Sequence, residues 1–389
     1  MISGSAFCTP LSGLGYRSYS GVPCSVFGDV LNFIQESPDL SYVAAPNEGS
    51  ALGISAGMWL AGNKAPVLIQ GSGFGNIVNP LTSLIIPYRI PALIFISNRG
   101  DPLGVDDEPQ HRLMGRTLRQ VLRHYGVFCA DMPDSPEAYE ALLADVDAAV
   151  TAKGEAAAII IPWQGRGTAP YRPQGLGSSS LARHTAIRTI LDRLSEDEVI
   201  VTTTGKISRE MFHLRDRPGN FYMQGSMGHA RSIALGICRA APRRRVILFD
   251  GDGATLMHLG SMSSVGFYLP VNMVDIVLDN ETYESTGNQP TTSATTDLEQ
   301  VARACGYSKT FRCCNLSELT AAMDAALTEP GPIFILIKVS SKGAPTVPRV
   351  TATLTQAQNA RRAQRFISDV GGWNESVEPS CMEKASSRP

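Results

Sequence analysis

Short apolar runs alternate with longer mixed segments along two stretches of the chain. In the first stretch, runs at residues 42–45, 66–70 and 91–97 predict strands. In the second, runs at residues 198–203, 245–250, 271–278 and 333–339 predict four more. Unbroken apolar runs separated by helical segments are typical of parallel strands that are buried on both faces. The pattern therefore predicts an α/β protein with two doubly wound parallel-sheet domains.

A segment rich in glycine, proline and serine separates these two stretches, and this composition is typical of an interdomain linker. We therefore predict a first domain over residues 1–165, a linker over 166–180 and a second domain over 181–345. Residues 346–389 are polar and show no clear periodicity, which predicts an irregular surface tail.

Bulk composition excludes several classes of function. The formal net charge of −2 gives no reason to expect nucleic acid as a partner. No apolar run approaches the roughly 20 residues needed to cross a bilayer, and the N-terminus lacks the pattern of a secretory signal. The eight cysteines have no regular spacing, which favours reduced thiols in the cytoplasm over a disulfide framework. We expect a cytoplasmic protein that binds neither nucleic acid nor membrane.

The clearest chemical signal follows the predicted strand at residues 245–250. Gly251, Asp252 and Gly253 come directly after it, and the next predicted strand leads into Asp279 and Asn280. Parallel sheets bind ligands at the carboxyl ends of their strands, where glycines let the backbone approach a phosphate group. A carboxylate and an amide oxygen beside a diphosphate are ligands that Mg²⁺ prefers. The sequence predicts a magnesium and diphosphate site there.

Other uses of a Gly-Asp-Gly segment can be compared with the sequence. A calcium-binding loop that begins at Asp250 requires glutamate at its twelfth position, which is Ser261. A dinucleotide-binding loop requires glycine or alanine where this chain has Leu256. Neither fits, so an ordinary tight turn is the remaining alternative.

The same residues resemble the cofactor motif of thiamine-diphosphate enzymes, which runs Gly-Asp-Gly, then some twenty-five to thirty residues, then Asn-Asn. Here residues 254–278 fill the gap, and Asp279 replaces the first asparagine. The resemblance implies that Asp252, Asn280 and the backbone carbonyl of Thr282 bind Mg²⁺. It also implies that Gly251, Gly253 and Ala254 contact the diphosphate of the cofactor, thiamine diphosphate.

A second resemblance lies in the first domain, where residues 47–51 are similar to the family segment that carries a catalytic glutamate. The resemblance implies that Glu48 hydrogen-bonds the aminopyrimidine ring of the cofactor. A carboxylate there favours the tautomer whose exocyclic nitrogen removes the proton from C2 of the thiazolium. Without the resemblance, Glu48 would be a glutamate placed favourably at a helix N-terminus.

Two further segments resemble cofactor-binding loops of the family. Residues 225–228 include Ser226 and Met227, and the resemblance implies that Met227 holds the cofactor in a bent conformation. A long, flexible methionine suits this role, although a core position would explain it equally well. Thr204 and Gly205 resemble a loop that contacts the diphosphate.

The order of the two domains, without a middle domain, resembles the phosphonopyruvate and sulfopyruvate decarboxylases, as do local runs at residues 21–23, 79–84, 107–111 and 285–291. This resemblance implies decarboxylation of a small 2-oxo acid, with phosphonopyruvate converted to phosphonoacetaldehyde and CO₂ in the biosynthesis of a phosphonate natural product. Sulfopyruvate is the alternative substrate. A non-catalytic protein that binds a nucleotide or acts as a scaffold is the alternative of another class.

A phosphonate substrate requires cationic and hydroxyl donors, because it carries up to two negative charges and three acceptor oxygens. We predict Arg99, His111 and Arg112 as donors near the carboxyl edge of the first sheet, with Ser25 adding a hydroxyl. His111 also resembles the position of a histidine near the reacting carbon, which implies a catalytic role in proton transfer. In the family, domains of two chains share each cofactor, so we expect a homo-oligomer that is at least a dimer.

Overall fold

The structure is a computed structural model, and it describes residues 3–164, 169–172, 179–340 and 346–369. The chain divides into two compact units. The first comprises Met1–Gly175 together with Tyr283–Thr291, and the second comprises Leu176–Thr282 together with Thr292–Pro389. Most of the predicted linker lies outside the described residues.

The first unit contains one parallel sheet flanked by helices. Its strands are β1 (Ser18–Gly21), β2 (Ser41–Ala44), β3 (Val67–Gln70), β4 (Ala92–Asn98), β5 (Phe128–Asp131) and β6 (Ala156–Pro162). Its helices are α1 (Gly4–Gly13), α2 (Gly28–Glu36), α3 (Glu48–Leu60), α4 (Phe74–Pro80), α5 (Pro109–His124) and α6 (Pro136–Lys153). The strand order is β2-β1-β3-β4-β6-β5.

Helices cover both faces of this sheet, so its central strands have no solvent-exposed face. Successive residues of β4 alternate between two apolar clusters: Phe95 packs on one face, and Ile94 and Ile96 pack on the other. This arrangement explains why the sequence of β4 is a continuous apolar run rather than an alternating one.

The second unit repeats this architecture with eight helices in the part of the chain that the structure describes. Its strands are β7 (Val199–Thr202), β8 (Asn220–Tyr222), β9 (Val246–Gly251), β10 (Met273–Asp279), β13 (Lys309–Cys313) and β14 (Ile333–Lys338). Two short segments that pair with each other, β11 (Thr282–Tyr283) and β12 (Gln289–Pro290), lie mostly in the stretch that belongs to the first unit. Its helices are α7 (Arg183–Leu191), α8 (Lys206–Leu214), α9 (Ala230–Ala240), α10 (Asp252–Met257), α11 (Ser261–Tyr268), α12 (Leu298–Cys305), α13 (Leu316–Thr328) and α14 (Gln356–Ser368). The six-stranded sheet has the order β13-β14-β10-β9-β7-β8.

The predicted fold class is confirmed, and all seven predicted strands are present with ends shifted by at most a few residues. Strands β1, β5, β6, β8 and β13 were not predicted from the sequence. Among the described residues, no helix is long and apolar enough to cross a membrane.

The prediction of an irregular tail was wrong for Gln356–Ser368, which form α14. Thr355 and Gln358 make a reciprocal capping box at its start. The buried side chain of Asn359 donates a hydrogen bond to the carbonyl of Tyr222 at 2.8 Å, which attaches the helix to the edge strand β8. The start of this helix could have been predicted from the sequence, because threonine followed three residues later by glutamine is a recognised helix start.

Candidate functional site

Glu48 is the first residue of α3, at the carboxyl edge of the first sheet. Asn47 caps this helix, because its side-chain oxygen accepts a hydrogen bond of 2.9 Å from the amide of Ser50. The cap fixes the first turn of α3 just after β2. Glu48 is 5% exposed although it is a charged residue, so the fold buries this carboxyl group.

The surroundings of Glu48 hold its carboxyl group in one place. Its Oε2 accepts a hydrogen bond of 2.6 Å from the side-chain amide of Asn76. Its Oε1 lies only 2.0 Å from the position that a β-carbon on residue 73 would occupy, so only the glycine found there, Gly73, leaves room for the carboxyl group. Burial raises the pKa of Glu48 above its usual range, and the hydrogen bond from Asn76 opposes this effect only in part. A raised pKa makes the group suited to share a proton with a bound partner.

Several polar side chains lie at the same edge of the sheet, and of these the sequence analysis predicted only Ser25. The thiol of Cys24, just after β1, lies 3.1 Å from the hydroxyl of Ser97 in β4. Gln70, at the end of β3, donates to the Cys24 sulfur at 3.5 Å and accepts from Ser72 at 2.5 Å. Ser25 is half-buried and begins a short helical turn beside Cys24. The edge of the sheet that carries Glu48 therefore also presents neutral hydrogen-bonding groups.

Arg99 follows β4 and is already paired. Its Nε and Nη2 donate to the two carboxylate oxygens of Asp107 at 2.5 Å each, and its guanidinium lies 4.1 Å from the ring centre of Trp163. Burial alone would raise the pKa of Asp107, but the hydrogen bond and charge of Arg99, together with a backbone hydrogen bond from Glu108, lower that pKa overall. The role of Arg99 in substrate binding stays a prediction.

His111 and Arg112 lie in the first turn of α5 and differ in exposure. His111 is half-buried, and its backbone packs against Gly100, the residue after Arg99. The Arg112 side chain is 58% exposed and lies 3.2 Å from Asp106, which is itself 86% exposed. The structure thus places the backbone of His111 beside the residue that follows Arg99, and it leaves Arg112 in contact with solvent.

In the second unit, the ends of β9 and β10 bring Asp252 and Asp279 together. Gly251 pairs with Leu278 across the two strands, so the residues that follow them, Asp252 and Asp279, leave the pair at the same level. The hydroxyl of Ser293 lies 3.1 Å from Oδ2 of Asp252 and 2.9 Å from Oδ1 of Asp279. Two of the carboxylate oxygens are therefore no more than about 6 Å apart.

Asn280 and Thr282 continue from Asp279 as a tight buried turn. The side-chain oxygen of Asn280 accepts a hydrogen bond of 3.3 Å from the amide of Thr282, and Glu281 between them has a φ of 61°. A carboxylate, a side-chain amide oxygen and a backbone carbonyl are hard oxygen donors, and they fit Mg²⁺ by ligand type. Within the described residues, no group of three or more His, Cys, Asp or Glu is placed to hold a metal ion.

The remaining predicted cofactor-binding residues lie on loops at the carboxyl edge of the second sheet. The hydroxyl of Thr204 accepts a hydrogen bond of 3.1 Å from the amide of Gly225, which ties the loop after β7 to the loop after β8. Gly205 has a φ of 99°, and Ser226 has a φ of 47°. Met227 is half-buried beside them. The other predicted residues, Gly251, Gly253 and Ala254, form the end of β9 and the start of α10.

A buried ion-pair network, which the sequence analysis did not predict, lies beside the end of β9 and α10. Arg231, fully buried in α9, donates to Asp275 at 2.7 Å and to the hydroxyl of Thr255 at 3.1 Å. The Thr255 hydroxyl in turn donates to Asp250 at 3.2 Å. These contacts hold the residue before Gly251 and the middle of α10 in a fixed relation.

Comparison with known proteins shows which enzymes the chain is similar to. Residues 203–337 match the family model described as thiamine pyrophosphate enzyme, C-terminal TPP binding domain. The chain is 37% identical to phosphonopyruvate decarboxylase from Streptomyces viridochromogenes, over 95% of this chain and 96% of the relative. It is 38% identical to phosphonopyruvate decarboxylase from Streptomyces hygroscopicus, over 87% and 88%.

The chain belongs to the phosphonopyruvate decarboxylase family. The predicted dependence on thiamine diphosphate and the predicted class of enzyme, a carbon–carbon lyase that decarboxylates 2-oxo acids, are thereby confirmed. Sulfopyruvate decarboxylase from Methanosarcina acetivorans is also related, with 32% identity over 84% of this chain and 89% of that protein. The roles of individual residues remain predictions.

Proposed function

We propose that the chain decarboxylates 3-phosphonopyruvate to phosphonoacetaldehyde and CO₂, as a step in making a phosphonate natural product. The choice of substrate is supported by the higher identity to the two phosphonopyruvate decarboxylases, 37% and 38%, than to the sulfopyruvate decarboxylase, 32%. The observation that carries the proposal is the match to phosphonopyruvate decarboxylase from Streptomyces viridochromogenes, which extends over nearly the whole length of both proteins.

Thiamine diphosphate, when bound, supplies an acidic carbon and an electron-accepting ring for decarboxylation. Glu48 is the residue of this chain that would contact its aminopyrimidine ring. The carboxyl group is buried, is oriented by Asn76, and has a raised pKa. In this state it can hold a proton against a ring nitrogen and return it, which is the task of a general acid–base group.

Asp252, Asn280 and the carbonyl of Thr282 would hold Mg²⁺, and the metal would in turn bind the diphosphate. The oxygen donors lie on the turns that follow two adjacent strands, so the sheet itself sets their spacing. Thr204, Gly205, Ser226, Gly251, Gly253 and Ala254 would contact the diphosphate, and Met227 would support the bent cofactor.

The substrate carries a second anion that pyruvate lacks, and Arg99, Arg112, His111 and Ser25 are the groups proposed to bind it. Arg112 is the cation of this set with the weaker existing partner, because its contact with Asp106 is exposed on both sides. Exposed pairs contribute roughly 0–1 kcal/mol, so exchanging Asp106 for a phosphonate costs little. His111, half-buried beside the Arg99 loop, is proposed to transfer a proton.

The active species is proposed to be a homo-oligomer of at least two chains. Glu48 belongs to the first unit, and the proposed metal ligands belong to the second. In the family a site combines these two kinds of domain from different chains. Sedimentation of the active enzyme tests this, and full activity in a monomer would contradict it.

The substrate is tested by a panel of phosphonopyruvate, sulfopyruvate and pyruvate, each supplied with thiamine diphosphate and Mg²⁺. Release of CO₂ and formation of the aldehyde are followed together. We expect phosphonopyruvate to have the highest kcat/KM of the three. A higher kcat/KM for sulfopyruvate would identify the rival substrate. No uptake of thiamine diphosphate at all would favour a non-catalytic nucleotide-binding or scaffold protein.

A further inference from the structure

Ser293 occupies an unusual position between two buried carboxylates. Its hydroxyl lies within hydrogen-bond distance of both Asp252 and Asp279, and all three side chains are nearly inaccessible to solvent. A hydroxyl has one hydrogen to donate, and an ionised carboxylate can only accept. At any moment, therefore, one of the two contacts brings acceptor oxygens together. A cation bound to Asp252 would relieve this contact, because it draws electron density from that carboxylate.

Lys338 approaches Asp279 from the opposite side. Its ammonium lies 2.9 Å from Oδ2 of Asp279 and 2.5 Å from the carboxylate of Glu281. Asp279 and Lys338 are direct neighbours on the adjacent strands β10 and β14. The amide of Glu281 also donates to Oδ1 of Asp279 at 3.0 Å. Both oxygens of Asp279 are thus engaged by protein groups, which suits an anchor rather than a metal ligand.

The charges of this group match a divalent cation. Asp252, Asp279 and Glu281 provide three carboxylates, and Lys338 provides one ammonium, which leaves two negative charges. The thiamine-diphosphate motif that this segment resembles has a neutral asparagine where this chain has Asp279. The carboxylate at that position adds a negative charge close to the metal site, and Lys338 lies where it can offset that charge.

We propose that Asp279 and Ser293 are linked positioning residues that orient Asp252 for its divalent cation, and that Lys338 offsets the charge of Asp279 and so sets the net charge around the cation. The inference rests on the proposed function, because it takes Asp252 as a ligand of the cation. Asp279 holds the hydroxyl of Ser293, and Ser293 limits the rotation of the Asp252 carboxylate. Lys338 acts by its charge, which lies beside Asp279. Asp279 and Ser293 therefore act on the cation through Asp252.

The test measures Mn²⁺ affinity by the electron paramagnetic resonance signal of the free ion, with saturating thiamine diphosphate and the full chain. Asp279→Asn removes a negative charge and should weaken Mn²⁺ binding on the order of ten-fold. Lys338→Met removes a positive charge and should tighten binding by a similar factor. The double variant should return to within about three-fold of the wild type, because the net charge is restored. Lys309→Met, on the neighbouring strand β13, is the control for loss of a lysine.

A purely structural role for Lys338 predicts a different outcome. In that case Lys338→Met would weaken Mn²⁺ binding as Asp279→Asn does, and the double variant would be weaker still, which would overturn the charge-balance inference. If Lys338→Met does not fold, Lys338→Gln replaces it, and Lys338→Arg should keep the wild-type affinity.

Ser293→Ala tests the orientation of Asp252. We expect Mn²⁺ affinity to fall about ten-fold, as is typical when a partner of a metal ligand is lost. The thermal midpoint of the metal-free protein should not fall, because the lost hydroxyl lay between two acceptors. Ser263→Ala, in α11, should leave both quantities unchanged. Wild-type affinity in Ser293→Ala would refute this part, whereas a wild-type protein that binds no Mn²⁺ would contradict the proposed metal site itself.

Discussion

Gly73→Ala should disable the proposed general acid–base group, Glu48, without replacing it. Gly73 precedes α4, and its backbone (φ −85°, ψ −3°) is one that alanine adopts freely, so the change introduces no backbone strain. The new methyl carbon would lie 2.0 Å from Oε1 of Glu48 and 2.2 Å from its carboxyl carbon. Because the end of the glutamate side chain is flexible, the protein can fold only by moving that carboxyl group.

The size of the movement follows from the contact distance. Real β-carbon contacts stay beyond 3.0 Å, so the carboxyl group must shift by about 1 Å from its present place. The shift also disturbs the hydrogen bond of 2.6 Å from Asn76. A misplacement of about 1 Å can cost about 10²-fold in rate. We therefore expect kcat/KM to fall by about 10², which corresponds to about 2.7 kcal/mol of transition-state stabilisation.

The assay combines kcat/KM for phosphonopyruvate with the rate of hydrogen–deuterium exchange at C2 of bound thiamine diphosphate, read by NMR after an acid quench. Exchange isolates the step that Glu48 would promote, so it should fall together with kcat/KM, as it should in Glu48→Gln. Gly75→Ala is the matched control, because a methyl group there meets no atom within 4 Å. Wild-type exchange in a folded Gly73→Ala variant would show that the observed position of Glu48 does not matter for catalysis.

Other substitutions test the remaining roles. Asp252→Ala should weaken retention of thiamine diphosphate with Mg²⁺ by more than about 100-fold in equilibrium dialysis. Loss of a residue that only hydrogen-bonds a metal ligand already costs about 10–100-fold, and loss of the ligand itself should cost more. Unchanged retention would remove Asp252 from the ligand set. Because burial raises the pKa of Glu48, the native chain binds a proton there more tightly than the unfolded chain does, so this group's contribution to stability is lost as pH rises through the raised pKa. Glu48→Gln should lack this loss in pH-dependent unfolding, and an identical pH profile would contradict it. Arg99→Ala should lower the thermal midpoint, whereas Arg112→Ala should leave it unchanged and slow phosphonopyruvate turnover far more than pyruvate turnover; equal losses on both substrates would refute substrate binding by Arg112.

Several strands could be predicted because a strand that is buried on both faces has an unbroken run of apolar residues, as β4 does. Strand β1 could not, because it contains two serines and a glycine. Ser20 is nonetheless fully buried, and its hydroxyl donates to the carbonyl of Val43 on the neighbouring strand at 3.0 Å. That partner lies over twenty residues away, so no local pattern reports it.

The candidate site divides in the same way. Asp252 and Asn280 could be placed at one edge from the sequence, because parallel strands end side by side. Ser293 could not be found, since it reaches Asp252 from a separate turn 41 residues later in the chain. Nor could the approach of Gly73 to Glu48, because the close contact depends on how α3 and α4 pack together.

The sequence alone made Arg99 and Arg112 equivalent candidates for binding a second anion, and the structure separates them by the partners they already have. The Arg99 side chain is 12% exposed and Asp107 only 3%, with two hydrogen bonds between them. Removing one member of a buried pair costs about 3–5 kcal/mol, because the other charge is left without compensation. A substrate that took Arg99 from Asp107 would meet a cost of the same kind. Arg112 can exchange its solvated partner for a phosphonate at far lower cost, so selectivity for a dianionic substrate should depend on Arg112. Arg99 should instead stabilise the segment before α5 through its pair with Asp107.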